Sequence, residues 1–380
     1  MTTSAKFGNS FSSQEILEGI MRWAAVESPS VSPDAVARMF ELAEGEFKTA
    51  GATIERKEAP NGCGPVMLAR FAGNKPGPGI LVLGHLDTVH PIGTIEGALK
   101  LRVEDGKLYG PGVFDMKGGI FLALYALRRV RAETGSTDLP VTFMMIPDEE
   151  LGSPNTRQLI EDEARRHKYV LVPEPARLGK LVSGRHAFVR YTVRTLGKPA
   201  HAGADNKVGR SAIRAMASLV ETIEGATDMD RLVSFSVGVI NGGLFVNVVP
   251  TECTAQVLCV ASSQENLRYV YDFMSNLRSP DKDVTLEVIK GAERPLFQAS
   301  EGTLKLFEIA RGTAAEFGLN LEHGQFGGGS DGNFTGALGV ATLDGLGVVG
   351  AGAHTHGEHL VVSELAPRAR IFAGLLSQLQ

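Results

Sequence analysis

Apolar and polar residues follow two different periods along the first half of the chain. Uninterrupted apolar runs predict strands that are buried on both faces, whereas apolar residues that recur every three or four positions predict amphipathic helices. The predicted strands span residues 79–84, 141–146 and 169–172. The predicted helices span residues 16–26, 33–50, 120–130 and 155–166. Buried strands that alternate with helices predict an α/β domain whose sheet is mixed and largely parallel.

Two of the predicted helices begin with capping signals. Ser12 lies three residues before Glu15, which is the spacing of a capping box. Pro33 stands at the first position of the second helix, where the fixed φ of proline suits the helix and its missing N–H is not needed. We therefore expect both helices to begin at these signals.

The pattern changes near residue 186. Residues 188–194 alternate between apolar and polar, which predicts a strand with one face in water. The elements that follow are a helix at 209–222, strands at 232–240 and 252–261, a helix capped by 262–265, and a strand at 284–289. The order β-α-β-β-α-β is that of a ferredoxin-like unit. We therefore predict an inserted domain at residues 186–296 and a larger domain formed by residues 1–185 and 297–380.

Composition and charge narrow the function classes. The net charge of −5 comes from 38 basic and 43 acidic residues without a basic tract, which argues against a nucleic-acid partner. The chain has no apolar run of about 18 residues, so we expect no membrane span. Residues 1–13 have no apolar core of a signal peptide, so we expect a cytoplasmic location. The three cysteines lack CxxC spacing and predict neither a disulfide framework nor a thiolate zinc site.

Acidic residues and histidines recur directly after the predicted buried strands. Sites in open α/β sheets form outside the carboxyl ends of the strands, so separate loops can deliver these side chains to one crevice. The metal-ligand candidates are His85, Asp115, Glu150, Glu174 and His354. A bare carboxylate cluster would raise its own pKa values, and a divalent cation removes that cost. Mixed histidine and carboxylate ligands suit Zn²⁺, with Co²⁺ or Mn²⁺ as alternatives.

The number of candidates favours two metal ions over one. A single catalytic zinc typically has three protein ligands and one open position. Five candidates divide into two sets of three if one carboxylate is shared. A bridging carboxylate holds two metals roughly 3.5–4 Å apart, and such a pair generates a nucleophile from water near neutral pH.

Six motifs resemble those of the M20 metallopeptidases, in the order in which the family has them. They are GHLDTVHP (84–91), GPGVFDMKGG (110–119), PDEELGS (147–153), PEPA (173–176), GKPAHAG (197–203) and GAHTHGEHL (352–360). The resemblance covers about residues 16–375 and is greatest to glutamate carboxypeptidases of the carboxypeptidase G2 type. It implies a metal-dependent amidohydrolase that contains two Zn²⁺ per subunit.

The resemblance also implies roles for the residues of the larger domain. His85, Asp115 and Glu174 would hold one metal ion, and Asp115, Glu150 and His354 the other, with Asp115 as the bridge. The family has a cis peptide after the bridging aspartate, here between Asp115 and Met116.

Two further carboxylates of this domain have roles in the family. Glu149 would be the general base, and Asp87 would orient His85 by a hydrogen bond to its far nitrogen. His354 and His356 compete for one ligand position. The family spacing, with a glutamate four residues after the ligand, favours His354 because Glu358 follows it.

For the inserted domain, the resemblance implies a lid that also forms dimers. His201 would help to polarise the scissile carbonyl, and Asn247 would match the family's lid asparagine. Arg294 would bind the substrate carboxylate through its two-donor fork. We therefore expect a homodimer joined lid to lid, in which His201 serves the active site of the partner subunit.

The predicted substrate is an N-acyl amino acid or a short peptide with a free carboxylate. One alternative is a small-molecule deacylase of the acetylornithine deacetylase or aminoacylase type. An aminopeptidase would need an acidic pocket for a substrate ammonium, and no such pocket is evident from the sequence. A metal-binding homologue without activity is the alternative from another class. The presence of Glu149 argues against that alternative, because an inactive homologue has no need for a base.

Overall fold

The computed structural model describes residues 11–380, and the first 185 residues of the chain supply most of its central sheet. Residues 1–10, which belong to the segment where we expect no signal peptide, lie outside the described part. The helices up to residue 185 are α1 (Ser13–Ala24), α2 (Pro33–Thr49), α3 (Lys117–Thr134) and α4 (Arg157–Ala164). The strands are β1 (Thr53–Glu58), β2 (Pro65–Phe71), β3 (Ile80–His85), β4 (Arg102–Glu104), β5 (Lys107–Tyr109), β6 (Val141–Ile146), β7 (Tyr169–Leu171) and β8 (Leu181–Arg185).

The middle of the chain contributes four strands and two helices. They are β9 (Ala187–Leu196), α5 (Ala212–Glu224), β10 (Val233–Gly242), β11 (Glu252–Ala261), α6 (Gln264–Ser275) and β12 (Thr285–Arg294). The remaining elements are α7 (Glu301–Ala315), β13 (His323–Phe326), α8 (Gly332–Ala337), β14 (Ala341–Leu343), β15 (Gly350–Ala351), β16 (His359–Val361) and α9 (Leu365–Gln378).

The chain divides into two units. In the described part of the chain, the larger unit contains residues 11–185, 297–326 and 330–380, and the inserted unit contains residues 186–296 and 327–329. The prediction of a mixed, largely parallel sheet is confirmed: the larger unit has a six-stranded sheet in the order β1-β2-β6-β3-β7-β14. Strands β6, β3, β7 and β14 run parallel, and β1 and β2 form an antiparallel edge.

Side chains on both faces of this sheet are covered by helices. Along β3, Ile80 and Val82 point to a core shared with α1, α2, α3 and α9, while Leu81 and Leu83 point to a core shared with α4. This alternation follows from the two-residue period of a strand. Large aromatic rings fill the first core, with ring centroids of Trp23 and Phe121 5.5 Å apart. The result is a three-layer α/β/α arrangement that leaves the strand ends available for a site.

The inserted unit has one antiparallel sheet in the order β10-β11-β9-β12. The chain order of its elements is β-α-β-β-α-β, so the ferredoxin-like prediction is confirmed. Every second residue of β9 is buried against the helices, from Ala187 to Val193. Cys253 and Cys259 are free and buried in this core, as small apolar residues would be.

The capping signals gave correct helix starts, although one cap is built differently from the prediction. Ser12 accepts a hydrogen bond from the N–H of Glu15, and Pro33 is the first residue of α2. The carboxylate of Glu15, however, accepts from the hydroxyl of Tyr125 on α3, and that hydroxyl also accepts from the N–H of Ser12. Tyr125 therefore stands between the two residues of the predicted box and ties α1 to α3.

No helix within residues 11–380 combines the length and the apolar character that crossing a membrane requires.

Candidate metal centre

Three neighbouring parallel strands end at one edge of the sheet and supply acidic and histidine side chains there. His85 is the last residue of β3. Glu149 and Glu150 form a single helical turn directly after β6, and Glu174 lies three residues after β7. Because β6, β3 and β7 are adjacent in the sheet, their carboxyl ends bring these side chains together.

Two loops complete the cluster from outside the sheet. Asp115 lies two residues before α3, in a glycine-rich loop, and the peptide bond between Asp115 and Met116 is cis. His354 lies in the loop between β15 and β16, with a positive φ of 63°. We call His85, Asp115, Glu150, Glu174 and His354 together the ligand cluster.

The carboxylate of Asp115 lies between two histidines. Its Oδ1 is 3.3 Å from Nε2 of His85, and its Oδ2 is 3.3 Å from Nε2 of His354. Nε2 of His354 is also 2.9 Å from Oε2 of Glu150, and Nε2 of His85 is 3.8 Å from Oε1 of Glu174. Each oxygen of Asp115 therefore faces a different half of the ligand cluster.

The histidines of the cluster hold protons strongly. Burial opposes a charge on His85, but hydrogen bonds to Asp115 and Asp87 outweigh it and raise the pKa of His85 well above its ordinary value. Hydrogen bonds to Asp115 and Glu150 raise the pKa of His354 to about 10. Both imidazoles are therefore drawn towards the cationic form by the carboxylates around them.

The glutamates of the cluster also tend to hold protons. Burial, reinforced by the charge of Asp115, raises the pKa of Glu174 well above its ordinary value. Burial raises the pKa of Glu150 as well, against the opposing effect of its hydrogen bond to His354. For Asp115, burial is outweighed by the hydrogen bonds from His354 and His85, which lower its pKa.

These residues fit a divalent cation. The ligand atoms of His85, Asp115 and Glu150 lie within 4.8 Å of one another. Oε1 of Glu150 is buried and has no hydrogen-bond partner among the described residues 11–380, which is costly for a carboxylate oxygen unless a cation satisfies it. The donor set, nitrogen and carboxylate oxygen, is one that zinc accepts. A cation would replace the protons that the cluster otherwise retains.

Asp87 organises the cluster from behind. Nδ1 of His85 lies 3.0 Å from the backbone carbonyl of Asp87 and 3.4 Å from its carboxylate. A carbonyl can only accept, so Nδ1 carries the proton and Nε2 faces Asp115. The carboxylate of Asp87 also accepts from the backbone N–H groups of Glu149 and Glu150 and from the Ser30 hydroxyl. The sequence suggested only the contact to His85, and the hold on the 149–150 turn is new.

Glu149 lies beside the ligand cluster. Its Oε2 is 3.9 Å from Nε2 of His85, and its side chain is mostly buried. Its neighbour Glu150 points to His354 instead. Adjacent residues of the helical turn therefore have different surroundings, as the two predicted roles require.

The histidines of the 352–360 loop separate clearly. Both His354 and His356 are exposed and line a cavity of about 480 Å³ together with His90, but His354 also contacts Asp115 and Glu150. His90 is buried and pairs with Glu358. The choice of His354 over His356 as the metal ligand stays a prediction, which the contacts of His354 favour.

The structure brings two of the three predicted lid residues together within the inserted unit. The N–H of Ala202 donates to the carbonyl of Asn247, and the N–H of Val249 donates to the carbonyl of Ala200, so the loops around His201 and Asn247 run side by side. Nδ1 of His201 accepts from the N–H groups of Gly203 and Ala204, both at 3.2 Å. Nδ1 is therefore unprotonated, and Nε2 is the donor nitrogen of the exposed ring.

Arg294 occupies a different position in the inserted unit. It ends β12 opposite Phe188 of β9 and is buried. A Cβ on Gly329 would lie 2.6 Å from Cδ of Arg294, so this glycine makes room for the arginine side chain. Its role as a reader of the substrate carboxylate stays a prediction.

Arg185 received no role from the sequence but forms a buried ion pair. Its Nε lies 2.6 Å from Oδ2 of Asp344, and its Nη2 lies 2.8 Å from Oδ1. Burial raises the pKa of Glu174, and the positive charge of Arg185 partly opposes this effect. The position of Asp344 directly after β14 is the one sequence signal that could have placed it near the strand ends.

Comparisons with known proteins find similarity along most of the chain. Residues 81–378 match the family model described as Peptidase family M20/M25/M40. Carboxypeptidase G2 of Pseudomonas sp. (strain RS-16) is 29% identical over 375 residues, which cover 96% of this chain and 89% of that protein. Acetylornithine deacetylase of Myxococcus xanthus is 29% identical over 244 residues, 60% of this chain and 62% of that protein. The crystal structure of aminopeptidase PepT from Bacillus cereus superposes with a TM-score of 0.76 at 20% identity, covering 96% of this chain and 98% of that chain.

Proposed function

The chain belongs to peptidase family M20/M25/M40, and on that premise we propose that it hydrolyses the amide bond of N-acyl amino acids or short peptides with a free carboxylate. Membership of the family makes it a metal-dependent hydrolase. The finer proposal, a glutamate carboxypeptidase-like activity, rests on the ligand cluster and on the similarity to carboxypeptidase G2 along nearly the whole chain.

The observation that carries the proposal is the position of Asp115. Its two oxygens face two different histidines at equal distances of 3.3 Å. A carboxylate that serves one metal ion does not need a second histidine on its other oxygen. This arrangement supports a shared ligand between two sites, with His85 and Glu174 on one side and Glu150 and His354 on the other.

We propose two Zn²⁺ per subunit at this cluster, with Co²⁺ or Mn²⁺ as alternatives. Metal ions bound there would polarise the amide carbonyl and lower the pKa of the attacking water. The protein must then hold the water in place, exclude competing solvent and move a proton. Rigidity at the cluster comes from the burial of His85 and Glu174 and from the contact of Asp87 with His85.

Glu149 is proposed as the general base. Its carboxylate lies beside His85, whereas Glu150 makes the contact to His354. Its backbone N–H is held by the carboxylate of Asp87 at 3.3 Å. A carboxylate fixed in this way can take the proton of the attacking water and pass it to the leaving nitrogen.

His201, Asn247 and Arg294 are proposed to act on the substrate. The tautomer of His201 leaves Nε2–H as a donor, which is what stabilisation of a developing oxyanion needs. Asn247 follows the exposed apolar residues Leu244, Phe245 and Val246 on the neighbouring loop. The fork of Arg294 suits a carboxylate group.

A homodimer formed through the inserted unit is part of the proposal. Strand β10 is an edge strand of its sheet, and it exposes Val239 and Ile240. An exposed edge with apolar side chains is suited to pairing with a second copy of the chain. In such a dimer, His201 of one subunit would serve the active site of the other. We also propose that the enzyme is located in the cytoplasm.

A second candidate function is a deacylase for small N-acyl amino acids. The similarity to acetylornithine deacetylase at 29% identity favours this candidate. Both activities use the same metal chemistry and differ only in the groups on either side of the amide bond. A metal-binding homologue without activity is less compatible with Glu149, which lies at the cluster without replacing a ligand.

A hydrolysis screen tests the proposal. The purified protein, loaded with Zn²⁺ or Co²⁺, is incubated with N-acyl amino acids, folates and dipeptides while its metal content is measured on the same sample. Release of a C-terminal amino acid from folate or acyl-glutamate substrates supports the carboxypeptidase activity. Preference for N-acetyl amino acids with small side chains supports the deacylase. Full metal content without turnover of any substrate contradicts both.

A further inference from the structure

Glu358 is a buried carboxylate that lies directly behind the loop of Asp115. Its side chain is 1% exposed. Its Oε1 accepts hydrogen bonds from the backbone N–H groups of Phe114 and Asp115, both at 3.0 Å. Its Oε2 lies 2.8 Å from Nε2 of His90, which is also buried. Both oxygens are therefore engaged, and one of the partners is the backbone N–H of Asp115, a candidate metal ligand.

This contact bears on the direction of the Asp115 side chain. The carboxylate of Asp115 must present one oxygen to each histidine, so a small rotation of its backbone would move one oxygen closer and the other away. Two N–H groups donated to one carboxylate oxygen fix the peptide planes before and after Phe114. Hydrogen bonds to an ionised acceptor are about twice as strong as neutral ones, so Glu358 is well suited to hold this loop.

Glu358 also belongs to the loop that carries His354. The N–H of Glu358 donates to the carbonyl of Thr355, and the N–H of Thr355 donates to the carbonyl of Gly352, so residues 352–358 form consecutive turns. Gly352 has φ +81°, and a Cβ there would lie 2.5 Å from the carbonyl oxygen of Gly357. One short segment therefore provides His354 and holds the backbone of Asp115.

We propose that Glu358 is a positioning residue which, anchored by His90, fixes the backbone of Asp115 and thereby aligns its carboxylate between His85 and His354. This inference rests on the proposed function in so far as Asp115 is taken as the shared ligand. Glu358 itself touches neither metal nor substrate. It acts through Asp115, and the metal affinity of the whole cluster depends on it.

The test measures metal binding and needs no substrate. Metal-free protein is titrated with Co²⁺, and the visible absorption reports both the affinity and the coordination geometry. Loss of a residue that orients a metal ligand typically weakens binding about 10–100-fold. We expect Glu358→Gln to show a loss of this size and an altered Co²⁺ spectrum. Hydrogen exchange of the metal-free protein should show faster exchange of the Phe114 and Asp115 amides in the variant.

Variants of His90 separate positioning from a general effect on folding. His90→Gln keeps an N–H donor for Oε2 of Glu358 and should bind Co²⁺ nearly as wild type does. His90→Phe removes the donor and should resemble Glu358→Gln. If Glu358→Gln does not yield folded protein, the contrast between the two His90 variants decides the question, because both retain Glu358. Equal Co²⁺ affinity of His90→Gln and His90→Phe would overturn the role of His90 as the anchor.

Glu163 offers a matched control. Its side chain is 3% exposed and pairs with His167 at 3.1 Å and with Arg70 at 2.7 Å, so it is a second buried glutamate held by a histidine. Glu163→Gln should lower the melting temperature without changing Co²⁺ affinity or spectrum. If Glu358→Gln also changes only the melting temperature, Glu358 is a structural residue and the inference is wrong.

Asp115→Asn, measured in parallel, distinguishes failure of the inference from failure of the proposed function. If Asp115→Asn weakens Co²⁺ binding strongly while Glu358→Gln does not, only the inference fails. If neither variant changes Co²⁺ binding, Asp115 is not a ligand, and the proposed metal centre fails with it.

Discussion

The ligand cluster of the larger unit and the His201–Asn247 loops of the inserted unit are built differently. In the cluster, His85 and Glu174 are buried, and their surroundings shift their pKa values strongly. In the two loops, the side chains of His201 and Asn247 are exposed, and the backbones of the loops are hydrogen-bonded to each other. Three of the five cluster residues, His85, Glu150 and Glu174, are held at the ends of packed strands, whereas the two loops of the inserted unit keep a donor available for a substrate.

Groups that bind a metal ion and groups that recognise a substrate are under different structural constraints. Groups that bind a cation must be fixed to a fraction of an ångström, and a packed sheet edge provides such rigidity. Groups that meet a substrate must remain accessible. Predictions for the two regions should therefore differ in kind: cluster variants should alter metal content, and variants of the loops should alter turnover only.

The largest effect is expected for Asp115→Ala. Because Asp115 faces both histidines, its loss should remove both metal ions and abolish activity. Metal content by plasma mass spectrometry and hydrolysis of the best substrate from the screen are the measurements. Asp138→Ala, which removes an exposed ion pair with Lys75, is the control. One full equivalent of tightly bound metal in Asp115→Ala would show that the two sites are independent.

Glu149→Gln should reduce turnover by about 10²–10⁴-fold, the usual contribution of general acid–base catalysis. Its metal content should stay near that of the wild type, because Glu149 is proposed to touch the water and not the metals. Parallel measurement of kcat and of bound metal checks both parts. If metal is lost together with activity, Glu149 is a ligand, and the division of roles between Glu149 and Glu150 is wrong.

His201→Ala should lower kcat by roughly 10²–10³-fold, the scale for loss of one oxyanion donor, with unchanged metal content. Arg268→Ala, a change on the surface of α6 in the same unit, should leave kcat unchanged. Mixing His201→Ala with Glu149→Gln after subunit exchange should restore part of the activity. In the mixed dimer, one site combines an intact Glu149 with a borrowed His201. No recovery despite proven exchange would contradict action across the dimer.

Arg294→Lys should weaken kcat/KM by about tenfold or more for substrates with a free carboxylate, because lysine cannot reproduce the planar two-donor fork. An amidated analogue of the same substrate should be affected less. The ratio of kcat/KM for the two substrates is the quantity to compare between variant and wild type. Equal losses on both would mean that Arg294, which is buried at the end of β12, has a purely structural role.

Glu163→Gln should affect stability alone, and only in one pH range. Burial opposes ionisation of Glu163, but His167 and Arg70 outweigh it and lower its pKa to about 2. A lowered pKa contributes stability that is present above the unfolded value near 4.5 and is lost as pH falls towards about 2. Urea unfolding should therefore show a difference on the order of 2 kcal/mol between wild type and variant at pH 7 that shrinks below pH 4.5. A difference that is constant over this range would rule out the ionised pair as its cause.

Much of the fold was predictable because its signals are local. The strand at 141–146 was predicted with its observed bounds, since its five apolar residues are interrupted only by Thr142, a residue that favours strands. Strand β1 was not predicted. It lies at the edge of the sheet, and its sequence, TIERKE, is largely exposed, so no apolar pattern marks it. Edge strands that carry charges lack the signal on which sequence reasoning depends.

The candidate site was predictable to a similar degree. The positions of His85, Glu150 and Glu174 follow from the rule that sites form at the carboxyl ends of parallel strands. The role inferred for Glu358 was not predictable in this way, because its contacts to Phe114 and His90 span 244 and 268 residues. The hydrogen bonds from the 149–150 turn to the carboxylate of Asp87 are also non-local, since they span 62 and 63 residues. Contacts between distant loops depend on tertiary packing, which no local pattern encodes.

The residues of the ligand cluster are far apart in the sequence and are therefore synthesised at different times. His85 to Glu174 leave the ribosome early, but His354 and Glu358 follow only after the whole inserted unit has been made. A growing chain therefore has no complete cluster until residue 354 has been made. We expect full metal loading to follow the synthesis of the inserted unit, and a chain that stops before residue 354 to be unable to retain its full complement of metal ions.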